Sequence, residues 1–307
     1  MSAENWSSRS LGSRFKHEVF YRLIRHFGPW AAYPLLYAVV FYYSLRPAVI
    51  RRSRPYLRRR FPASGLRAAW LRSFRLNLSF GLVLLERAVM GLSGRMEFSD
   101  PKGGALKVAA LLEEGRGLII LTAHVGAWQT GLGWLKQSQR PVNIVQRRQE
   151  SDVDRHYFEH GPEPGAPKII DASRPAEALG AMTSALLAGE IVCLMGDRVR
   201  PGDSLTAAVP FLGGQIRLPG APFYLSARTG APVAVVFTRR TGRSKVAGEV
   251  RAIIRPDGSG RALKSAEAVL PGARRFAAAL EEYVLENPYQ FFNFYDLWLP
   301  DGPAAER

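Results

Sequence analysis

Short, fully apolar runs that alternate with helix-like stretches are the feature of this sequence that most constrains its fold. Leu118–Thr122 (LIILT) is one such run, bounded by Gly117 and His124. Its length and its lack of charge predict a buried strand. Strands separated by helices are joined by crossover connections, which pair them in parallel. We therefore predict an α/β fold with a mostly parallel central sheet covered by helices on both faces.

The same pattern continues along the chain. Further runs with strand character are Pro141–Gln146, Lys168–Asp171, Glu190–Gly196, Pro232–Arg239 and Val246–Arg255. The last of these alternates in polarity, which is typical of an antiparallel strand. Helical spacing covers about 66–95, the stretch from His124 to about Gln137, and then 175–188, 219–229 and 266–285. No internal repeat or long linker divides this region. We predict one α/β domain over residues 66–307, preceded by a basic N-terminal segment over residues 1–65.

The positive charge of the chain is concentrated at one end. The 42 Lys+Arg and 26 Asp+Glu give a formal net charge of +16. Residues 1–75 contain 15 basic and two acidic residues, so they carry +13, and the other 232 residues carry +3. A hydrophobic fraction of 47% without low-complexity tracts excludes disorder for most of the chain. Since no recognition fold or aromatic–basic strand platform accompanies the charge, we expect no nucleic-acid partner.

An uncharged aromatic run lies inside this basic end. Phe27–Leu45 has 19 residues, and about 20 are needed to cross a bilayer core. Pro29 and Pro34 weaken a straight spanning helix, whereas the Trp and Tyr side chains suit a membrane interface. Upstream, apolar residues recur every fourth position from Leu11 to Phe27 among basic residues. We expect this amphipathic helical segment to bind an anionic membrane surface, either spanning it or lying flat on it. An ordinary surface helix packed on the domain is the alternative.

The most informative motif for chemistry is Thr122–Gln129 (TAHVGAWQ), which begins where the first predicted strand ends. Ligands of open α/β sheets bind at the carboxyl ends of the strands, so His124 would face a cleft. Gly126 permits close backbone approach, and a helix N-terminus at this position would offer amide donors to a developing negative charge. On these grounds His124 is either a catalytic residue or a packed or capping histidine.

This motif resembles a known family. HVGAWQ is similar to the H-x4-D/E block of the glycerolipid acyltransferase superfamily, in the H-x-G-N-W-E form seen in the bacterial lipid A late acyltransferases. Later blocks resemble the same family in the same order and extend the likeness over roughly residues 100–300. These blocks are Gly196–Arg198 followed by Val209–Gly213 and Leu218–Pro222, then Thr229–Val233, and the aromatic ending Asn287–Trp298.

The resemblance implies transfer of a fatty acyl chain from an acyl-carrier-protein or coenzyme A thioester to a lipid or glycolipid acceptor, with no further cofactor. The single cysteine and the five scattered histidines separately predict no metal cluster. The resemblance implies that His124 is the general base that takes a proton from the acceptor, and that Gly126 and Trp128 lie at the substrate. It also implies an acidic acyl carrier protein as a partner and a location at the cytoplasmic face of the inner membrane.

The sequence departs from the family pattern at one important position. In the family an acid five residues after the histidine holds the imidazole, but this chain has Gln129 there, and Ala127 in place of the motif asparagine. The enzyme could work with a less basic histidine or a more reactive acceptor, such as an amine. Another carboxylate could replace the acid, with Asp197 or the pair Glu150 and Asp152 as candidates. The third interpretation is that the chain keeps the fold of the family but is a lipid- or acyl-binding protein without catalysis.

Charged residues also follow two other predicted strands. Arg147 and Arg148 come after the second strand, and Asp197 and Arg198 after the fourth, so all four are expected at the ligand edge of the sheet. Arginine is suited to bidentate phosphate contact, and these residues would bind a phosphorylated acceptor or the phosphopantetheine arm, unless they are merely solvated. Cys193, which is the single cysteine, lies within an apolar run and is predicted to be a core residue.

Overall fold

The computed structural model describes residues 14–63, 65–131, 135, 140–147, 167–200, 202–256 and 265–300. Its strands are β1 Glu97–Ser99, β2 Leu118–Thr122, β3 Val142–Gln146, β4 Lys168–Asp171, β5 Ile191–Met195, β6 Thr206–Phe211, β7 Gly214–Pro219, β8 Val233–Gly242 and β9 Lys245–Ile254. Its helices are α1 Arg14–Phe27, α2 Pro29–Ser44, α3 Pro47–Arg60, α4 Leu66–Ser93, α5 Gly104–Glu113, α6 Pro175–Leu187, α7 Ala221–Thr229 and α8 Ala266–Glu286.

A seven-stranded sheet forms the centre of the fold, in the order β1-β9-β8-β2-β5-β3-β4. Every neighbouring pair is parallel except β8 and β9, which form an antiparallel hairpin. The predicted α/β class with a mostly parallel sheet is confirmed, and so is the antiparallel direction of the last strand. The most apolar strand, β2, lies between β8 and β5, where both of its edges are paired.

The two faces of the sheet are both buried, as the continuous apolar character of β2 predicts. Ile119 and Leu121 pack in one core, which also contains side chains of α6, α7 and α8. Leu118 and Ile120 point the other way and pack with α5. Because successive strand residues face opposite sides, a strand covered on both faces buries a side chain at every position, and Leu118, Ile119, Ile120 and Leu121 are accordingly all apolar.

Several elements were not predicted. The short strand β1, the helix α5 and the separate antiparallel hairpin β6–β7 all lie in segments to which the sequence pattern assigned no structure. The helix predicted to start after His124 is wrong for residues 126–130, which form successive turns. Residues 132–134 and 136–139 of that prediction lie outside the described residues.

The N-terminal helices pack on α4. Tyr33, Leu36 and Val40 of α2 share a core with Leu82 and Leu85 of α4. The exposed residues of α2 follow a helical period, so they form one face of the helix. This exposed face is also apolar. Its residues are Trp30, Pro34, Tyr37, Ala38, Phe41 and Tyr42, with Leu45 directly after the helix.

The helix α3 connects this N-terminal group to the C-terminal segment. Tyr56 is fully buried, its hydroxyl donates to the backbone oxygen of Pro288 at 2.6 Å, and its ring meets the Phe291 ring edge-on. Arg59 lies over the Trp298 ring at 4.8 Å. The predicted domain boundary at residue 65 stays a prediction. On its two sides, α3 and α4 contribute side chains to the same hydrophobic core, which also contains Phe291 of the C-terminal segment.

Among the described residues, one helix is long and apolar enough to cross a membrane, and it is α4, with 44% of its most apolar window buried inside the protein. Its Glu86 is 2% exposed and accepts a hydrogen bond of 2.9 Å from Nε of Arg240 on β8. The aromatic run that the sequence singled out forms α2, whose 16 residues span about 24 Å, less than the roughly 30 Å of a bilayer core.

Candidate active site

The carboxyl ends of β2 and β5 bring two sequence-predicted residues together. These strands are parallel neighbours, with Thr122 opposite Met195, so the residues after each strand leave the same edge of the sheet. The amide of Gly196 still donates to the Thr122 oxygen at 2.8 Å, which extends the pairing by one residue. His124 and Asp197 therefore meet just beyond the sheet, at the edge where α/β proteins bind their ligands.

The imidazole of His124 is held by the carboxylate of Asp197. Nδ1 of His124 lies 2.9 Å from Oδ1 and 3.0 Å from Oδ2 of Asp197, and the backbone amide of His124 donates to Oδ2 at 3.2 Å. An ionised carboxylate can only accept hydrogen bonds, so Nδ1 carries the proton and Nε2 keeps its lone pair. The side chain of Asp197 is 3% exposed and that of His124 is 21% exposed, so solvent and ligands reach the histidine and not the acid.

The environment sets opposite ionisation preferences for the two groups. Burial lowers the pKa of His124 below its ordinary value of 6.5, and the attraction of Asp197 offsets this only in part. For Asp197 burial acts to raise the pKa, but the interactions with His124 and Arg198 outweigh it and hold the pKa at about 2. At neutral pH the pair is thus a neutral imidazole against a carboxylate, the state that a general base requires.

Arg198 lies on the buried side of the pair. Its Nε is 3.8 Å from Oδ2 of Asp197, and one of its terminal nitrogens donates to the backbone oxygen of Phe292 at 3.0 Å. Its guanidinium also lies over the Tyr295 ring at 5.8 Å. The sequence predicted Arg198 as a substrate-binding residue, and in this structure its described contacts are to the acid and to the C-terminal segment.

Gly126 allows the C-terminal segment to close over the motif. Its amide donates to Gln290 at 2.8 Å, while the amide of Phe292 donates to the His124 oxygen at 2.9 Å. Its φ is +52°, and a Cβ here would collide with the carbonyl oxygen of Thr238. The predicted close approach therefore involves the protein's own backbone. Because the amides of His124 and Gly126 are already bonded, they do not serve as the helix-terminal donors that the sequence predicted.

An aromatic wall borders the histidine. The ring of Trp128 is 5.6 Å from that of His124, and it contacts Phe80 of α4 and Phe292 at 6.3 and 5.5 Å between centroids. Phe80 also contacts Phe294 at 5.2 Å. Of these residues the sequence predicted only Trp128 individually. The aromatic ending was part of the family resemblance, but nothing in the sequence connected Phe80 to the site.

Of the other predicted site residues, the structure describes Gln129 and Arg147. Gln129 is half-buried, and the carboxylate that holds the imidazole comes from Asp197, 73 positions along the chain, in place of position 129. Arg147 is exposed at the end of β3. Arg148, Glu150 and Asp152 lie outside the described residues. The roles of all these residues stay predictions.

Two other kinds of chemistry find no support among the described residues. No group of three His, Cys, Asp or Glu residues in that part of the chain could hold a metal ion. Cys193 is buried in β5, as predicted, and burial raises the pKa of its thiol to about 12. A thiol with that pKa is a poor nucleophile at neutral pH.

Comparison with known proteins supplies the family. A sequence-family model described as bacterial lipid A biosynthesis acyltransferase matches residues 97–300. The match begins at β1 and includes the whole sheet, the His124–Asp197 pair and the C-terminal aromatic segment. A comparison with curated protein sequences gave no match.

Proposed function

The chain belongs to the bacterial lipid A biosynthesis acyltransferase family, and from this premise we propose that it transfers a fatty acyl chain from an acyl-carrier-protein or coenzyme A thioester to a lipid or glycolipid acceptor. The observation that carries the proposal is the hydrogen-bonded pair of His124 and Asp197 at the carboxyl edge of the sheet. The reaction needs a base at the acceptor, and this pair supplies one.

His124 acts as the general base. Nε2 takes the proton from the acceptor hydroxyl or amine as that atom attacks the thioester carbonyl, and the resulting imidazolium returns a proton to the leaving thiolate. Asp197 keeps the imidazole in the tautomer with the Nδ1 proton and stabilises the imidazolium when it forms. Arg198, behind the carboxylate, holds Asp197 ionised.

In this proposal Asp197 does the work that the acid of the H-x4-D/E block does in the family. A carboxylate in contact with Nδ1 favours this interpretation of Gln129 over the two others, which were a weaker histidine and a non-catalytic relative. A glutamine could not stabilise imidazolium by charge. Gln129 stays a predicted site residue, and its own contribution to the rate of acyl transfer has to be measured.

The aromatic wall is proposed to contact the acyl chain. Trp128 and Phe80, which are both half-buried, present apolar rings beside His124, with the buried Phe292 packed behind them, and burial of methylene groups contributes about 0.8 kcal/mol each. Arg147 and Arg148, after β3, are proposed to contact a phosphate of either co-substrate, and the basic surface of the chain is proposed to attract an acidic acyl carrier protein.

The N-terminal helices are proposed to hold the site at the cytoplasmic face of the inner membrane. The family is membrane-associated, and α2 exposes an aromatic face while α3 carries exposed arginines. Helices of this kind lie in the membrane interface, with the rings of α2 below the headgroups and the arginines of α3 beside anionic lipids.

The test of the proposal is an acyl-transfer assay on the purified full chain. Radiolabelled acyl-carrier-protein thioester and acyl-coenzyme A are each incubated with a membrane lipid extract, and labelled lipid is separated from free fatty acid. We expect labelled lipid with at least one donor, and its loss in His124→Ala. If neither labelled lipid nor His124-dependent thioester hydrolysis is formed with either donor, the enzymatic proposal is wrong and a lipid- or acyl-binding protein is the remaining reading.

A further inference from the structure

Three arginines converge on one stacked aromatic pair at the junction of α3, α4 and the C-terminal segment. The rings of Phe61 and Tyr289 stack with centroids 5.9 Å apart and an interplanar angle of 26°. The guanidinium carbons of Arg60 and Arg72 lie 4.7 and 4.3 Å from the Phe61 centroid, and that of Arg75 lies 5.9 Å from the Tyr289 centroid. We refer to these five residues as the arginine cluster.

The cluster concentrates positive charge on one aromatic pair. Arg60 donates from one terminal nitrogen to the backbone oxygen of Leu285 at 2.9 Å, but its Nε is buried and makes no hydrogen bond within the described part of the chain. Three guanidinium groups placed around one aromatic pair repel one another, and a buried donor that lacks an acceptor costs free energy. An anion with several acceptor oxygens would relieve both costs, and phosphate has the geometry that arginine binds bidentately.

The position of the cluster relates it to the active site. On α4, Arg72 and Phe80 are eight residues apart, which separates them by about 12 Å along the helix and about 80° around it. Phe80 contacts Trp128 beside His124. The C-terminal segment makes the same connection, because Tyr289 of the cluster is three residues from Phe292, whose amide is bonded to the His124 oxygen. A ligand phosphate at the cluster would thus lie at a fixed distance from the reacting histidine.

The surroundings of the cluster favour a lipid. Leu66 and Leu71, at the start of α4, are 91% and 41% exposed, and Phe41 of α2 meets Trp70 of the same turns. Cations beside an exposed apolar surface fit a molecule that has acyl chains and an anionic headgroup.

We propose that the arginine cluster binds the headgroup phosphate of the lipid co-substrate and so sets the position of the lipid relative to His124. That the bound molecule is a co-substrate rests on the proposed function, whereas the binding of a phosphate by the cluster rests on its geometry alone. The shared chemistry is a phosphate ester, whether it is carried by a lipid or is free in solution.

The experiment measures binding before it measures activity. Wild type, Arg75→Gln, Arg72→Gln/Arg75→Gln and the control Arg228→Gln are titrated with dihexanoyl phosphatidic acid below its micelle concentration, with dihexanoylglycerol, and with inorganic phosphate. Arg228 is exposed near the end of α7 and contributes the same charge away from the cluster and from the apolar surface at the start of α4. Arg60 is left unchanged because it also bonds the end of α8. Melting temperatures identify any variant that is poorly folded. Because the Arg75 side chain is exposed, Arg75→Gln should change the melting temperature least.

We expect the double variant to bind phosphatidic acid about ten- to a hundredfold more weakly than wild type, Arg75→Gln to show an intermediate loss, and Arg228→Gln to match wild type. Dihexanoylglycerol should bind all four proteins equally. If inorganic phosphate competes with the same arginine dependence, the cluster binds phosphate from either source; if it does not compete, the cluster requires the lipid headgroup. Equal binding of phosphatidic acid by wild type and double variant, or an equal loss for dihexanoylglycerol, would overturn the proposal.

Acyl-transfer assays separate this proposal from the proposed function. In an active enzyme the double variant should raise KM for the acceptor about tenfold or more while kcat changes little. Arginine-dependent binding in a chain that transfers no acyl group would reject the enzymatic function and keep the site. Unchanged KM and unchanged binding in an active chain would reject the site and keep the function.

Discussion

Nδ1 of His124 is hydrogen-bonded to Asp197 at 2.9 Å, although 73 positions of chain separate the two residues. Two adjacent parallel strands, β2 and β5, end at the same level and make this contact possible. The acid that sequence similarity expects at position 129 is absent, yet the imidazole has a buried, ionised carboxylate beside it. In the proposed mechanism, activity therefore depends on Asp197 more than on Gln129.

Restoring the family acid should add little. We expect Gln129→Glu to change kcat by less than about threefold, which is under 1 kcal/mol in the barrier, because Asp197 already occupies Nδ1 of His124. The measurement is single-turnover acyl transfer at neutral pH. The combination with Asp197→Asn is the control: we expect no recovery, and recovery of most of the lost rate would mean that position 129 reaches the imidazole.

Activity should persist below the pH at which an ordinary histidine loses its function. Burial lowers the pKa of His124, and the base works only when neutral, so the rate should fall as pH drops through a pKa below 6.5. The pH dependence of kcat/KM reports this pKa for the free enzyme. A half-maximal rate at or above pH 6.5 would contradict the environment described for the pair.

Gly126 should not tolerate a side chain. Its φ is +52°, and a Cβ would collide with the Thr238 oxygen, so we expect Gly126→Ala to lower the free energy of unfolding by about 3 kcal/mol or more. Chemical denaturation measures this change. Gly180→Ala is the matched control, because Gly180 is exposed within α6 with open space around it and should gain about 0.5–1 kcal/mol. Equal effects of the two substitutions would rule out the close approach at Gly126.

The exposed face of α2 should drive membrane binding. Tyr37 and Phe41 are 46% and 50% exposed on that face, and we expect Tyr37→Ser/Phe41→Ser to weaken flotation with anionic vesicles by tenfold or more. Leu187→Ser, at an equally apolar exposed position on α6, should leave flotation unchanged. Point substitutions are preferable to removal of the N-terminal helices, because Tyr56 of α3 is buried against the C-terminal segment. A double variant that floats like wild type would exclude this face.

The sheet could be predicted because its strands are buried on both sides. β2, β5 and β8 read as short apolar runs, and the predicted bounds differ from the observed ones by three residues at most. The hairpin β6–β7 could not be found in this way. It lies outside the main sheet, its first strand contains Pro210, a residue that argues against a strand, and Ile216 of its second strand pairs with Trp298, which comes much later in the chain.

The site was predictable in part for the same reason. His124 and Asp197 follow predicted parallel strands, so a shared edge could be expected, and Asp197 was one of two candidate replacements for the acid. The contact itself depended on strand order, because only neighbouring strands bring their ends within hydrogen-bond distance. Phe80 and the arginine cluster were beyond sequence reasoning, since α4 meets the C-terminal segment through contacts between residues about 200 positions apart.

The most direct test of the account is single-turnover acyl transfer by Asp197→Asn compared with wild type. The substitution keeps the shape of the side chain but removes the charge, and its amide can favour the wrong tautomer of His124; the equivalent change in a serine protease triad lowers kcat by about 10⁴. We predict a loss of about 10³-fold or more in a protein that still folds, as measured by its melting temperature. Activity within tenfold of wild type would mean that Asp197 is not the acid partner of the catalytic histidine.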